Sequence, residues 1–226
     1  MLGYLIFMLP ALILSMYAQY KVNSTFNKYS GVRIRRNITG ADAAAVILRN
    51  NNMGGSVRIE PVAGSLSDHY DPRSRTLRLS EPVYKTNSIS AVGVAAHEVG
   101  HAIQHAENYG PLSLRHRLVP ATNFASSASF PILLVGFFLN SANLMLLGII
   151  LFSMVVLFHV VTLPVELNAS QRAVAQLSAA GLVADDEISG VKKVLSAAAL
   201  TYLAATLSAL ANLLYYVMIF AGGRDD

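Results

Sequence analysis

Residues 118–165 read LVPATNFASSASFPILLVGFFLNSANLMLLGIILFSMVVLFHVVTLPV, 48 positions without an Asp, Glu, Lys or Arg. A helix needs about 20 apolar residues to cross a bilayer. The stretch is therefore two spans, 120–139 and 144–163, divided at the polar turn Asn140-Ser141-Ala142-Asn143. Two further runs carry no charge, residues 1–20 and residues 194–223, and they place spans at 2–19 and 196–220. The first has no basic residue ahead of its apolar core and no small-residue cleavage site before Lys21. It reads as an uncleaved span rather than a signal peptide, and Pro10 within it is tolerated in a membrane helix.

Composition agrees. Of 226 residues, 54% are hydrophobic and 13% charged, with mean hydropathy +0.47. An ordinary soluble domain carries about 25% charge, so a soluble enzyme is disfavoured, and so apolar a chain is not disordered. Cysteine is absent, which excludes disulfides, thiolate metal sites, iron–sulfur clusters and a cysteine nucleophile. Tryptophan is absent too, leaving tyrosine for any interfacial belt. The net charge of +4 needs no nucleic-acid partner, because Lys and Arg accumulate on the cytoplasmic segments of membrane proteins.

Residues 21–117 hold 13 of the 17 Lys and Arg against 7 acids, and 164–195 holds Arg172, Lys192 and Lys193. Four spans put these two segments on one side, which the basic bias makes cytoplasmic. The expected organisation is a first span in 1–20, a cytoplasmic region 21–117, two spans in 118–163, a cytoplasmic helix in 164–195, and a fourth span with a short tail in 196–226. The expected location is the cell membrane, multi-pass.

Within 21–117, Thr39-Gly40-Ala41-Asp42 has the spacing of a capped helix start, and Met53-Gly54-Gly55 ends that helix. Val57–Glu60, Leu66–Tyr70 and Thr76–Leu79 read as strands, the last two joined by a turn at Asp71-Pro72-Arg73-Ser74-Arg75. After a connection at Tyr84–Ser90, with Asn87 and Ser88 as cap candidates, one helix runs to Asn108 and is closed by Gly110-Pro111. A helix over Val165–Ala180 restarts at Pro164 and stops at Gly181. Asp185-Asp186-Glu187 then opens a helix that leads toward the last span.

His97-Glu98-Val99-Gly100-His101 is the motif H-E-x-x-H. Histidines at i and i+4 stack on one helix face and can grip one zinc ion. The glutamate between them lies beside that ion, placed to take a proton from water. Buried on an almost uncharged helix without a metal or partner, such groups would cost several kcal/mol. A catalytic zinc takes a third protein ligand and keeps one open position, and two residues are candidates. His105 continues the i+4 series, yet its Cα lies about 12 Å along a straight helix from that of His97. Glu166 is the first charge after the uncharged stretch and stands at the membrane edge, where an unpartnered acid is costly. Glu166 is preferred, which leaves His105 beside the metal site or structural. Peptide hydrolysis also needs a donor for the developing oxyanion, and His69, Tyr70 and Arg172 are candidates. His159, inside a span, is given no role.

The blocks Ala95–His105, Leu66–Pro72 and Glu166–Ser170 resemble the bacterial neutral zinc metallopeptidases of the YugP type, and the resemblance extends over nearly the whole chain. These are similar in turn to the HtpX-type membrane proteases, in which a glutamate on a later helix completes the zinc site. The resemblance implies Zn2+ as cofactor and Glu166 as third ligand. It departs at Ser170, where the HtpX-type pattern has an aspartate that holds a ligand histidine; a serine can accept that imidazole N–H only without charge. The fold class expected is mainly α: four transmembrane helices with a cytoplasmic α+β, zincin-like face made of a small β-hairpin or sheet and the active-site helix.

The leading functional expectation is an integral-membrane zinc endopeptidase with Glu98 as general base. Its partners would be membrane proteins or peptides as substrates and the lipid bilayer, with no nucleic acid, and a homo-oligomer is compatible with small-residue stretches such as Ala125–Ser129. A site-2-type intramembrane protease ranks lower, because Lys85, Glu107 and Arg115 flank the motif helix. A membrane scaffold or assembly factor with a structural zinc would use four protein ligands and no base.

Overall fold

A computed structural model of the chain describes residues 2–222; Met1 and the tail residues 223–226, with the charges of Arg224, Asp225 and Asp226, lie outside the described residues. The elements are α1 (Leu2–Ser30), α2 (Gly40–Asn50), β1 (Arg58–Val62), β2 (His69–Asp71), β3 (Thr76–Ser80), α3 (Glu81–Lys85), α4 (Ile89–Ala106), α5 (Gly110–Phe138), α6 (Ala142–Ala179) and α7 (Asp185–Gly222). The protein is mainly helical with one small sheet. It divides into two compact units.

One unit comprises residues 1–18, 110–164 and 201–226. It holds the most apolar segments and leaves Phe130, Phe138, Leu139 and Ile150 more than half exposed. Side chains of that size facing outward suit a lipid surface and not water. Among the described residues, three helices are long and apolar enough to cross a membrane, α5, α6 and α7, and not four. The expected first span, 2–19, is helical as the start of α1 but falls partly outside the residues whose side chains are described.

The other unit comprises residues 19–109 and 165–200. Its sheet has the order β1-β3-β2, with β1 parallel to β3 and β2 antiparallel to it. The hairpin turn is held by Asp71, which accepts from the Ser74 hydroxyl at 2.6 Å, from Arg73 N at 3.0 Å and from Arg78 Nη1 at 3.2 Å. These bonds, the Ser74 one foremost, hold its carboxyl down to about 2. The core joins Ile47 and Leu48 of α2, Leu77 and Leu79 of β3, Val83 of α3, Val92 and Val99 of α4, Leu177 of α6 and Val191 of α7, none more than 1% exposed. Thr39 closes a capping box with Asp42 at the start of α2, and Ser88 caps α4 by accepting from Ala91 N at 3.2 Å. At the start of α7, Glu187 accepts from Ala184 N and Arg35 N.

Four local expectations change. The connection before α4 contains the one-turn helix α3, with a proline in its first turn, where no backbone N–H is needed. The strand expected over Leu66–Tyr70 shrinks to β2, because Gly64 and Leu66 adopt left-handed backbone, φ +102° and +57°. Gly110 opens α5 instead of closing α4; the break is at Asn108, φ +53°. No helix restarts at Pro164, since α6 runs unbroken from Ala142 to Ala179, as proline inside a membrane helix allows. Gly181 ends it as expected, at φ +59°.

Candidate metal centre

The site is built where α4 crosses the segment of α6 after Pro164. Gly100 sets how closely they approach: a Cβ there would lie 2.6 Å from the Ala169 carbonyl oxygen and 3.2 Å from its carbon. Glycine admits that backbone where no other residue does. Gly100 precedes His101 on α4, and Ala169 stands between Glu166 and Ser170 on α6, so this contact brings the chemistry of the two helices together.

His97 Nε2 lies 3.2 Å and His101 Nε2 3.5 Å from the same Glu166 oxygen. One donor atom from each of the three residues fits within 4.8 Å. The imidazoles meet edge to face, centroids 4.8 Å apart. Glu166 is 2% exposed. The opposite ring nitrogens are occupied: His97 Nδ1 pairs with Ser170 Oγ at 3.1 Å, and His101 Nδ1 with Gln104 Oε1 at 3.0 Å. Burial works to raise the Glu166 carboxyl, but its hydrogen bonds to His101 and His97 outweigh it and hold the group well below the usual carboxylate range. Burial likewise works to lower the His101 imidazole, and Glu166 together with the Glu98 charge outweighs it and raises the group.

Gln104 is fully buried and received no role in the sequence reading. Its amide nitrogen donates to Val165 O at 2.8 Å and to Asn168 Oδ1 at 2.9 Å. Arg172 Nε donates to the same Asn168 oxygen at 2.7 Å, and its Nη2 pairs with Glu107 at 2.7 Å. A guanidinium can only donate, which gives the chain a direction. Arg172 fixes the Asn168 oxygen, that oxygen takes the Gln104 N–H, and the Gln104 oxygen is left to accept from His101 Nδ1. His101 then turns its Nε2 toward Glu166. The signal available in the sequence was a polar side chain three residues after His101 on a buried face.

Glu98, 8% exposed, follows His97 on α4. Its charge reaches Asp68, whose carboxyl is raised by burial first and also by the Glu98 charge, against hydrogen bonds from Ser80 N at 2.7 Å and Ser80 Oγ at 2.9 Å. Asp68 too had received no role of its own. His105 pairs through Nδ1 with the Tyr70 hydroxyl at 2.9 Å. His69 is exposed on β2, its Nδ1 2.9 Å from Ser67 O. The structure thus gathers His97, His101, Glu166 and Ser170, joins Tyr70 to His105, and ties Arg172 to Asn168 and Glu107. His159, in α6, has its backbone carbonyl 3.4 Å from Thr206 Oγ1.

No solved structure matches this chain. The "Putative membrane protease YugP" of Bacillus subtilis (strain 168) is 54% identical to it over 218 residues, 96% of each chain. The family model described as "Putative neutral zinc metallopeptidase" matches residues 4–221, all but the ends. With two imidazoles and a carboxylate converging beside a second glutamate, and this match over nearly its full length, the chain belongs to the "Putative neutral zinc metallopeptidase" family.

Proposed function

We propose that the chain is an integral-membrane zinc endopeptidase that hydrolyses peptide bonds of membrane proteins or of peptides near the membrane surface. The observation that carries the reading is the convergence of His97 Nε2 and His101 Nε2 from α4 with one Glu166 oxygen from α6 within 4.8 Å, Glu98 standing on α4 between the two histidines. The donor set suits zinc: both Nδ1 atoms are engaged elsewhere, so both histidines offer Nε2. Three protein donors leave a position for water, as in catalytic sites. Bound there, zinc supplies Lewis acidity and brings the pKa of its water to about 7.

The remaining work falls to this chain's own groups. Glu98 takes the proton of the attacking water as oxygen adds to the scissile carbonyl carbon, then gives it to the amine nitrogen as the C–N bond breaks. The Tyr70 hydroxyl, backed by His105, is the donor assigned to the developing oxyanion. β2 is an edge strand, and an extended substrate is placed along it by strand addition, next to His69. Arg172, engaged by Asn168 and Glu107, is assigned to positioning His101 through Gln104. The cytoplasmic side is assigned from the 13 of 17 basic residues in 21–117.

The test is metal removal. The purified full-length chain should contain one zinc and cleave an unstructured peptide. Dialysis against ortho-phenanthroline should abolish cleavage, and zinc should restore it. Undiminished cleavage by the metal-free protein sinks the proposal. Gln104→Leu probes the supporting chain: freeing His101 Nδ1 is expected to weaken zinc binding about 10- to 100-fold, the usual cost of losing such a support. Chelator competition reads this directly, and wild-type affinity would show that His101 is oriented by something else.

A further inference from the structure

A cleft of about 630 Å³ lies between the residues of α1 from Lys21 to Tyr29 and those of α7 from Lys192 to Leu200. Its walls carry Lys21 and Lys28 from one helix and Lys192 and Lys193 from the other, with the hydroxyl side chains of Ser24 and Tyr29 among them. No acidic side chain lines it. Among the described residues none of the four lysines is held in an ion pair; Lys28 instead stands 5.7 Å over the Tyr29 ring. Gly190 seats that ring, since a Cβ there would meet Tyr29 Cε1 at 2.9 Å. Four cations collected in one concave place repel one another and await an anion.

The place along the chain says which anion. Lys21 is the first charge after the uncharged residues 1–20, and Lys193 the last before the uncharged residues 194–223. Both therefore stand where a membrane segment meets the headgroup layer, and basic pockets between helices at that level bind anionic headgroups. A second, smaller cleft of about 370 Å³ shares Lys192 and Ser196 with the first and continues along Leu167, Val174, Leu195 and Ala199. A basic pocket that opens into an apolar groove fits a molecule with a phosphate at one end and an acyl chain at the other. The groove also includes Ser170, the partner of His97 Nδ1.

We propose that this lysine pocket binds the phosphate of an anionic phospholipid, with an acyl chain in the adjoining groove. The inference rests on reading the uncharged runs as membrane spans and is independent of peptidase activity. The full-length chain, zinc-loaded in a neutral detergent, is titrated calorimetrically with dioctanoyl phosphatidylglycerol, dioctanoyl phosphatidylcholine and sodium phosphate. Saturable binding of phosphatidylglycerol alone is expected, weakening as salt is raised. Replacing all four lysines together by glutamine should weaken it several hundredfold, since each juxtamembrane lysine is worth about fivefold. The corresponding Lys→Arg protein should keep the affinity, which separates lost charge from lost fold. Equal affinity for phosphatidylglycerol in wild type and the glutamine protein overturns the proposal. So does equal binding of phosphatidylcholine, or phosphate binding as tightly as the lipid. Extraction of the chain from membranes by alkaline carbonate without detergent would overturn the membrane reading itself, a failure distinguishable from loss of the headgroup preference.

Discussion

Glu98→Gln is expected to cut kcat for peptide cleavage by a hundred- to ten-thousandfold, the range that a positioned proton acceptor supplies, while one zinc stays bound. The substitution preserves volume and planarity, so α4 has no reason to move. It removes the one property the proposal needs, since a carboxamide oxygen does not take a proton from water near neutral pH. The bonds of His97 to Ser170 and Glu166, and of His101 to Gln104, do not involve Glu98 and stay in place. The lost charge at residue 98 would be felt at Asp68, away from the three ligands. Asp68 loses a neighbouring negative charge that pushes its carboxyl up, so its titration should move down toward the ordinary carboxylate value. The decisive pair of readings is therefore zinc content and turnover on the same sample. Full zinc with full turnover would refute Glu98 as base. Loss of zinc would mean that the carboxylate helps hold the ion, and the division of roles on α4 would have to be redrawn.

The parts of this site that one segment determines by itself were readable from residues. Thr39 and Asp42 announce their helix, Ser88 announces α4, and the i, i+4 spacing of His97 and His101 announces a shared face. Glu166 stood out because charge is rare near membrane spans. What resisted reading depends on two segments meeting. Pro164 suggested a fresh helix start, whereas α6 passes through it and carries Glu166 and Ser170 onto one face. The direction of the Arg172–Asn168–Gln104–His101 chain needs α6 laid against α4, and no local pattern encodes that. The same holds for the lysine cleft, whose two walls are more than 160 residues apart in sequence. The first span is a different case: its apolar character is plain in the sequence, and its first turns lie outside the residues whose side chains are described.

Gly100→Ala is expected to lose zinc and activity together, and this separates it from Glu98→Gln. The added methyl would sit 2.6 Å from the Ala169 carbonyl oxygen, with the carbonyl carbon and Cα of Ala169 at 3.2 Å. Those neighbours are backbone of a buried helix, so no side chain can swing aside. The helices must separate by roughly 1 Å to reach ordinary contact distance, a cost of about 1–3 kcal/mol for overpacking. Alanine gains about 1 kcal/mol over glycine in helix propensity, so the net effect on stability is small, and the chain is expected to fold. The site suffers more than the fold. His97 and His101 ride on one helix and Glu166 on the other, and bonds of about 2 Å to one ion do not tolerate that separation. Zinc affinity should fall about a hundredfold, the upper end of what losing a support costs, and excess zinc should recover part of the turnover. Wild-type zinc affinity in Gly100→Ala would show that the two helices are spaced by contacts elsewhere, and the account of how α4 and α6 assemble the site would fail.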